Sequence, residues 1–230
     1  MTKPVIVFDW DGTLMDSAAK IVKAMQRAAA TCQQPVPSDL AVRQIIGISL
    51  KPAIARLFSL AEDDPIVTKL AEAYSAVYLE LDQRPCQLFD RAQWLLSTLK
   101  RQRYPLAVAT GKARRGLNRA LHQSGIGHYF NETICADESR SKPHPQMLFT
   151  LADRFDCQPN QLLMVGDTTH DINMAHAAGC PSVAVTFGAH HADQLADVRP
   201  NHMIDTLPEL LTRVLTPATH AINGSAGQGD

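Results

Sequence analysis

Apolar residues fall along this chain in two alternating rhythms. Short unbroken runs occur at Val5-Ile6-Val7-Phe8, Leu106-Ala107-Val108-Ala109, Leu162-Leu163-Met164-Val165 and Ser182-Val183-Ala184-Val185. Runs this short and this apolar read as strands buried on both faces. Between them the apolar positions recur at helical spacing. Ile21, Val22, Met25 and Ala29 form one stripe over 17–32, with Asp16 as the expected cap. Trp94, Leu95, Leu96 and Leu99 form another over 91–102. Further helices are predicted at 39–46 (stopped by Gly47), 49–60, 65–81, 113–124 (closed by Gly125), 145–155, 171–178 (closed by Gly179) and 207–215. Weaker strands are predicted at 133–135 and 202–204.

Strand and helix alternate everywhere except between residues 16 and 84, where only helices are predicted. The alternation implies an α/β fold with a doubly wound parallel sheet and right-handed crossovers. The exception implies a helical insert after the first strand. The chain is therefore expected to divide into a core of 1–15 and 85–216, a helical insert of 16–84, and a disordered Gly-, Ser- and Ala-rich tail at 217–230.

Composition narrows the function classes. The 230 residues are 45% hydrophobic and 20% charged, with a formal net charge of -1. Nothing in that balance favours nucleic acid or an anionic membrane surface, so phosphate would have to be held by local groups. The five cysteines are scattered and form no CxxC pair, which predicts neither disulfides nor zinc. The opening Met1-Thr2-Lys3-Pro4 does not resemble a signal peptide. The expected location is cytoplasmic, as a monomer or homodimer.

Candidate chemistry lies at the ends of the strands. The first ends in Asp9-Trp10-Asp11-Gly12-Thr13, the second in Thr110-Gly111 and the third in Gly166-Asp167, with Asp171 four residues on. In a parallel sheet these ends share one edge, the edge where such folds bind ligands. Lys142 arrives there by a loop. Clustered carboxylates in a neutral protein need a shared cation, and hard oxygen ligands suit Mg²⁺. Magnesium suits phosphate, which a threonine hydroxyl, a lysine and backbone N–H groups can hold. One carboxylate could attack phosphorus and a second, two residues on, could move the proton. Residues two apart on a strand share a face, but a strand that ended at Asp9 would not carry Asp11 to the site without a turn, and Gly12 permits one.

At this point the residues resemble a known family. Asp9-Trp10-Asp11-Gly12-Thr13-Leu14, Thr110-Gly111, Lys142-Pro143 and Gly166-Asp167-Thr168-Thr169-His170-Asp171 look like the four motifs of the haloacid dehalogenase-like (HAD) hydrolase superfamily, in order. The insert is similar to the α-helical cap of its phosphoglycolate phosphatase-like branch. The resemblance implies Asp9 as nucleophile and metal ligand. It implies Asp11 as general acid/base, with its carbonyl on the metal. Thr110, Gly111 and Lys142 would bind phosphate. Asp167 would ligate Mg²⁺ and Asp171 would support the site. The loop of Gly47, Ser49 and Lys51 would set substrate choice. An aspartate at position 11 fits phosphate esters, whose leaving alcohol needs a proton that a halide does not. The expected substrate is a small phosphorylated metabolite, phosphoglycolate being the analogue from the family.

Rival readings attach to the same residues. A sugar-phosphate mutase of the superfamily keeps both aspartates but tends to carry an arginine where this chain has Leu50. A phosphoacceptor of the receiver kind would be shorter and lack the insert after the first strand, and a binding module without turnover is disfavoured because all six key side chains are present. His190 and His191 read as a solvated loop. His144 and His170 read as residues outside the site. Lys112, Arg114 and Arg115 read equally well as a solvated helix face or as an attractor of anionic substrate. Trp10 reads as a packing residue.

Overall fold

The computed structural model describes residues 3–215. The predicted tail at 217–230 lies outside them. In chain order the elements are β1 (Val5–Phe8), β2 (Met15–Asp16), α1 (Ala18–Thr31), α2 (Asp39–Arg43), α3 (Leu50–Phe58), α4 (Pro65–Leu81), β3 (Gln87–Leu88), α5 (Ala92–Arg101) and β4 (Leu106–Ala109). They continue with α6 (Arg114–Ser124), β5 (Glu132–Ile134), α7 (Gln146–Arg154), β6 (Leu162–Gly166), α8 (Thr169–Ala178), β7 (Ser182–Val185), α9 (Ala192–Asp197) and β8 (His202–Ile204).

Six strands form one parallel sheet in the order β5-β4-β1-β6-β7-β8. β1 lies inside it, paired through Ile6 with Leu106 on one side and Leu163 on the other. Its residues alternate between two cores, as a period of two requires. Ile6 and Phe8 join Leu95, Leu96, Leu99 and Leu117 on one face. Val5 and Val7 join Met147, Leu148, Leu151 and Met174 on the other. Both faces are covered, which is why the strands are apolar throughout.

The helices α1–α4 form the insert, with a core of their own around Met25, Ile54, Val67 and Leu70. α1 packs along α4. The chain leaves and re-enters the sheet through a two-stranded antiparallel ribbon, β2 with β3, which pairs Met15 with Leu88 and Asp16 with Gln87. Two-residue strands have no periodicity to read, so sequence reasoning missed this ribbon.

Several predicted boundaries are corrected. Asp16 is in the ribbon and does not cap α1. The cap position belongs to Ser17, whose hydroxyl is committed elsewhere. α2 stops at Arg43, three residues before the predicted end, and turns carry the chain to Gly47. The predicted helix at 207–215 shrinks to a π-helical turn over Leu210–Val214. α9 was not expected at all. Its six residues are too few to show a helical stripe.

Candidate active site

The strand order reverses between β1 and β6, neighbours in the sheet whose flanking strands run outward in opposite chain directions. That is the switch point at which an open α/β sheet forms a ligand crevice beyond its carboxyl ends. Asp9 follows β1 and Asp167 follows β6. The Asp9 N–H still donates to the Val165 carbonyl at 2.9 Å, so both carboxylates sit on the sheet edge. The turn after Asp9 is made by Gly12 at φ +88°. A Cβ there would lie 2.1 Å from Asp167 Oδ2, and one at Gly188 would lie 2.2 Å from Asp167 Cβ. Asp167 is thus clasped between two glycines. Thr13 Oγ1 donates to its Oδ1 at 2.8 Å and the Ala189 N–H to its Oδ2 at 2.7 Å.

Lys142 is wholly buried between two carboxylates. Its ammonium donates to Asp9 Oδ1 at 2.7 Å and to Asp171 Oδ1 at 2.6 Å. Asp171 Oδ2 accepts from the Thr168 N–H and hydroxyl, closing a capping box at the start of α8. Oxygens of Asp9, Asp167 and Asp171 lie within 4.8 Å of one another. Three carboxylates face one lysine, so full ionisation leaves two negative charges unbalanced. The cost shows in the ionisation of the group. Burial raises Asp9 well above the usual carboxylate range, with Asp171 and Asp167 adding to it against the pull of Lys142. Burial and then Asp171 push Asp167 up to about 7. Burial works against the charge on Lys142, but Asp171 and Asp9 outweigh it and raise its pKa. Asp9 Oδ2 is buried and has no hydrogen-bond partner. An orphaned carboxylate oxygen beside two more carboxylates fits a divalent cation, and an all-oxygen donor set fits a hard one.

Asp11 is turned away from this trio. Both its oxygens accept from Lys112 Nζ, at 2.9 and 2.8 Å, and Oδ1 also accepts from Ser17 Oγ at 2.6 Å. Lys112 Nζ also lies 3.4 Å from Tyr78 Oη and 4.9 Å above its ring. Burial opposes its charge, but Asp11 outweighs that and raises its pKa. Thr110 is buried beside them. Its Oγ1 accepts from the Lys112 N–H at 3.1 Å, which leaves the hydroxyl proton to donate.

These groups open into a cavity of about 330 Å³ between the sheet edge and the insert. Asp9, Asp11, Thr110, Gly111 and Gly47 line it. Gly111 is where insert and core touch: a Cβ there would lie 2.6 Å from the Gly47 carbonyl oxygen. The predicted selectivity loop is only partly at the cavity. Gly47 lines it, at φ +93°. Ser49 instead donates its backbone N–H to Ser141 Oγ at 2.9 Å. Lys51 reaches away to Thr68 Oγ1 at 3.2 Å. Beside Gly47, the residues that line the cavity from this loop are Ile48 and Leu50.

Other readings need correction too. His190 is not solvated. It is 3% exposed, and its Nδ1 accepts from the Thr169 N–H at the start of α8. Only His191 sits at the surface, at the cap of α9. His170 is buried, and its Nε2 donates to the Gln44 carbonyl at 3.1 Å, tying α8 to the insert. The basic run divides three ways: Lys112 grips Asp11, Arg114 pairs with Glu138, and Arg115 stands exposed at the cavity rim. Trp10 is fully buried, edge-on to Phe130 at 6.4 Å. Ser17 and Gly188 were missed as site residues, because a lone serine and a lone glycine carry no signal. Lys112, which reads from sequence equally well as part of a solvated face or as an attractor of substrate, is instead the partner of Asp11.

Residues 6–185 match the family model described as haloacid dehalogenase-like hydrolase. The chain belongs to that family. The HAD chain is 37% identical over 212 residues to a protein of Dickeya dadantii named probable phosphatase IndB, covering 91% of this chain and 92% of that one. It is 32% identical over 215 residues to a phosphoglycolate phosphatase of Mannheimia succiniciproducens, covering 90% and 96%. The crystal structure of a predicted phosphoglycolate phosphatase from Haemophilus somnus superposes with a TM-score of 0.80 at 28% identity, over 92% of this chain and 98% of the other. The HAD chain is accordingly an enzyme, a hydrolase of the phosphatase kind with an inserted helical region. No helix among the described residues is long and apolar enough to cross a membrane.

Proposed function

We propose that the chain is a Mg²⁺-dependent phosphomonoester hydrolase that works through an aspartyl-phosphate on Asp9. The observation that carries this is Asp9 itself. It lies on the cavity floor with one oxygen held by Lys142 and the other unpartnered, and Asp11 borders the same cavity. Asp9, Asp167 and the carbonyl of Asp11 would hold Mg²⁺, with Asp171 fixing Lys142. When bound, the cation neutralises charge on the phosphoryl oxygens and balances the carboxylates.

In the first half-reaction an Asp9 oxygen attacks phosphorus and the bond to the ester oxygen breaks. The leaving alkoxide takes a proton from Asp11. Thr110 and the backbone N–H groups near Gly111 hold the phosphoryl oxygens, and Lys142 screens Asp9 from them. In the second half Asp11, now ionised, takes a proton from water as that water attacks phosphorus, releasing phosphate and restoring Asp9. Lys112 donates to both oxygens of Asp11 and fixes its orientation. The pair must open for the first half, and Tyr78 of α4 touches Lys112 from the insert side.

Likeness to relatives named phosphoglycolate phosphatase supports the reaction class and makes phosphoglycolate one substrate to try. A mutase would have to hold a second phosphate, and no charged side chain of the insert lines the cavity among the described residues. The test is hydrolysis of 4-nitrophenyl phosphate with and without Mg²⁺. Sustained release that needs Mg²⁺ and disappears in Asp9→Asn is expected. Turnover that survives Asp9→Asn rules out the covalent route.

A further inference from the structure

The cavity over Asp9 has two sides of different chemistry. The core side carries the acidic and basic side chains: Asp9, Asp11, Lys112, Arg115 and Arg119. The insert side is uncharged. Its main pieces are Met25 from α1, Ile45 and Ile48 from the loop after α2, Leu50 at the start of α3, and Tyr74 and Leu79 from α4. The cations on the core side are mostly taken. Lys112 spans both oxygens of Asp11, and Arg119 donates to Asp82 at 2.9 Å. Arg115 stands at the exposed rim. The insert's own Arg43, Lys51 and Arg56 do not line the cavity.

A phosphoryl group placed at Asp9 points its leaving oxygen toward the insert. Whatever alcohol is attached must occupy the apolar side. A carboxylate a carbon or two beyond the ester oxygen would leave water for aliphatic and aromatic neighbours, with only Arg115 at the exposed rim uncommitted among the described cations of the lining, an expensive transfer. An uncharged apolar group gains by the same transfer. At about 330 Å³ the cavity falls at the small end of ordinary small-molecule sites. A two-carbon chain would leave much of its wall unfilled, while a ring would cover more of it. The Tyr74 hydroxyl offers a neutral hydrogen bond to a polar substituent, and Ser75 Oγ, which donates to the Ala71 carbonyl at 2.8 Å, can accept one.

We propose that the natural leaving alcohol is an uncharged, largely apolar group of about one ring, held by Met25, Ile48, Leu50 and Tyr74, and not a short carboxylate such as glycolate. This rests on the phosphatase reading above.

The test compares benzyl phosphate, methyl phosphate and phosphoglycolate. All three leave as primary alkoxides, so differences report binding of the alcohol and not its leaving ability. The expected kcat/KM for benzyl phosphate exceeds that for each of the other two by at least about 100-fold, the scale a hydrophobic pocket can give for several carbons. Leu50→Ala should lower the benzyl-over-methyl preference about tenfold, mainly through KM. Met25→Ala, on a different element, should lower the same ratio. Phosphoglycolate hydrolysed as well as or better than benzyl phosphate overturns the proposal and leaves the phosphatase reading intact. A benzyl-over-methyl ratio that neither variant moves also overturns it. Failure to hydrolyse any of the three, or 4-nitrophenyl phosphate, removes the phosphatase reading and this proposal together.

Discussion

At the scale of single residues the site is built from pairs that sequence spacing does not show. Asp11 and Lys112 are far apart in sequence but joined by two hydrogen bonds. Lys112→Met leaves Asp11 with Ser17 alone and no fixed orientation. General acid–base groups contribute roughly 10²–10⁴-fold, so misplacing one without removing it should cost about tenfold in kcat. Asp11 serves both half-reactions, so a loss that falls on the second shows as a burst of phosphoenzyme in rapid quench and a loss that falls on the first shows as a lowered single-turnover rate. A variant with full kcat and no burst would mean that the pair is only structural. Gly188 makes a different kind of pair, with Asp167. Gly188→Ala would put a methyl group where Asp167 Cβ already is, so the carboxylate must move. Mg²⁺ affinity measured by calorimetry should fall at least about tenfold, with far-ultraviolet circular dichroism unchanged. The aspartates themselves were legible because strand ends and motif order bring them out. Gly188 and Ser17 were not, because their roles are defined only by what the fold places against them.

At the scale of elements, the long members were legible and the short ones were not. β1, β4, β6 and β7 stand out as apolar runs, and α1 and α4 have enough turns to show a buried stripe. The β2–β3 ribbon and α9 are too short for any period, yet they place the insert and His190. The connection that carries His190 is clamped to the start of α8 through the Thr169 N–H. That bond needs an unprotonated Nδ1, and Nε2 is buried without a partner. Burial, with His170 adding to it, lowers the His190 pKa from 6.5 to about 4. The sign follows. The folded state resists a proton that the unfolded chain accepts below about 6.5, so this contribution is whole above that pH and is lost as pH falls toward 4. Between pH 7 and pH 5 the loss is on the order of 2 kcal/mol. His190→Gln can keep an acceptor near Thr169 without titrating. Urea unfolding at both pH values in saturating Mg²⁺ should show the wild type losing about 2 kcal/mol more than the variant over that interval. Equal losses would mean that His190 is not held neutral by the fold.

At the scale of the whole molecule, the sheet, the insert and the loop from Lys142 meet only because the strand order reverses at β1 and β6. The doubly wound class and the helical insert could be read from the alternation of patterns. The division of the cavity into a charged side and an apolar side could not, since Leu50 and Lys51 are neighbours in sequence and only the fold turns one inward and the other out. The same assembly concentrates charge. Asp9, Asp167 and Asp171 crowd around Lys142, and Asp167 is pushed up to about 7 from an ordinary value of 3.8. Its folded form therefore holds a proton more tightly than its unfolded form. In the absence of metal this group takes stability away as pH rises from about 4 through 7, the opposite sense to His190. At pH 8 in EDTA the fold carries the full repulsion, and Mg²⁺ should relieve it. At 100 times its dissociation constant a ligand that binds only the folded state adds about 2.7 kcal/mol. For a chain of this size that corresponds to a rise in Tm of roughly 5–10 °C by scanning calorimetry. Asp167→Asn separates this account from ordinary stabilisation by salt. Removing one carboxylate should raise the Tm of the metal-free protein at pH 8, because the repulsion falls, and should also abolish most of the Mg²⁺-induced rise, because a ligand is lost. A variant with lowered metal-free Tm and an intact response to Mg²⁺ would show that the three carboxylates are held together by hydrogen bonds alone and that the cation binds elsewhere.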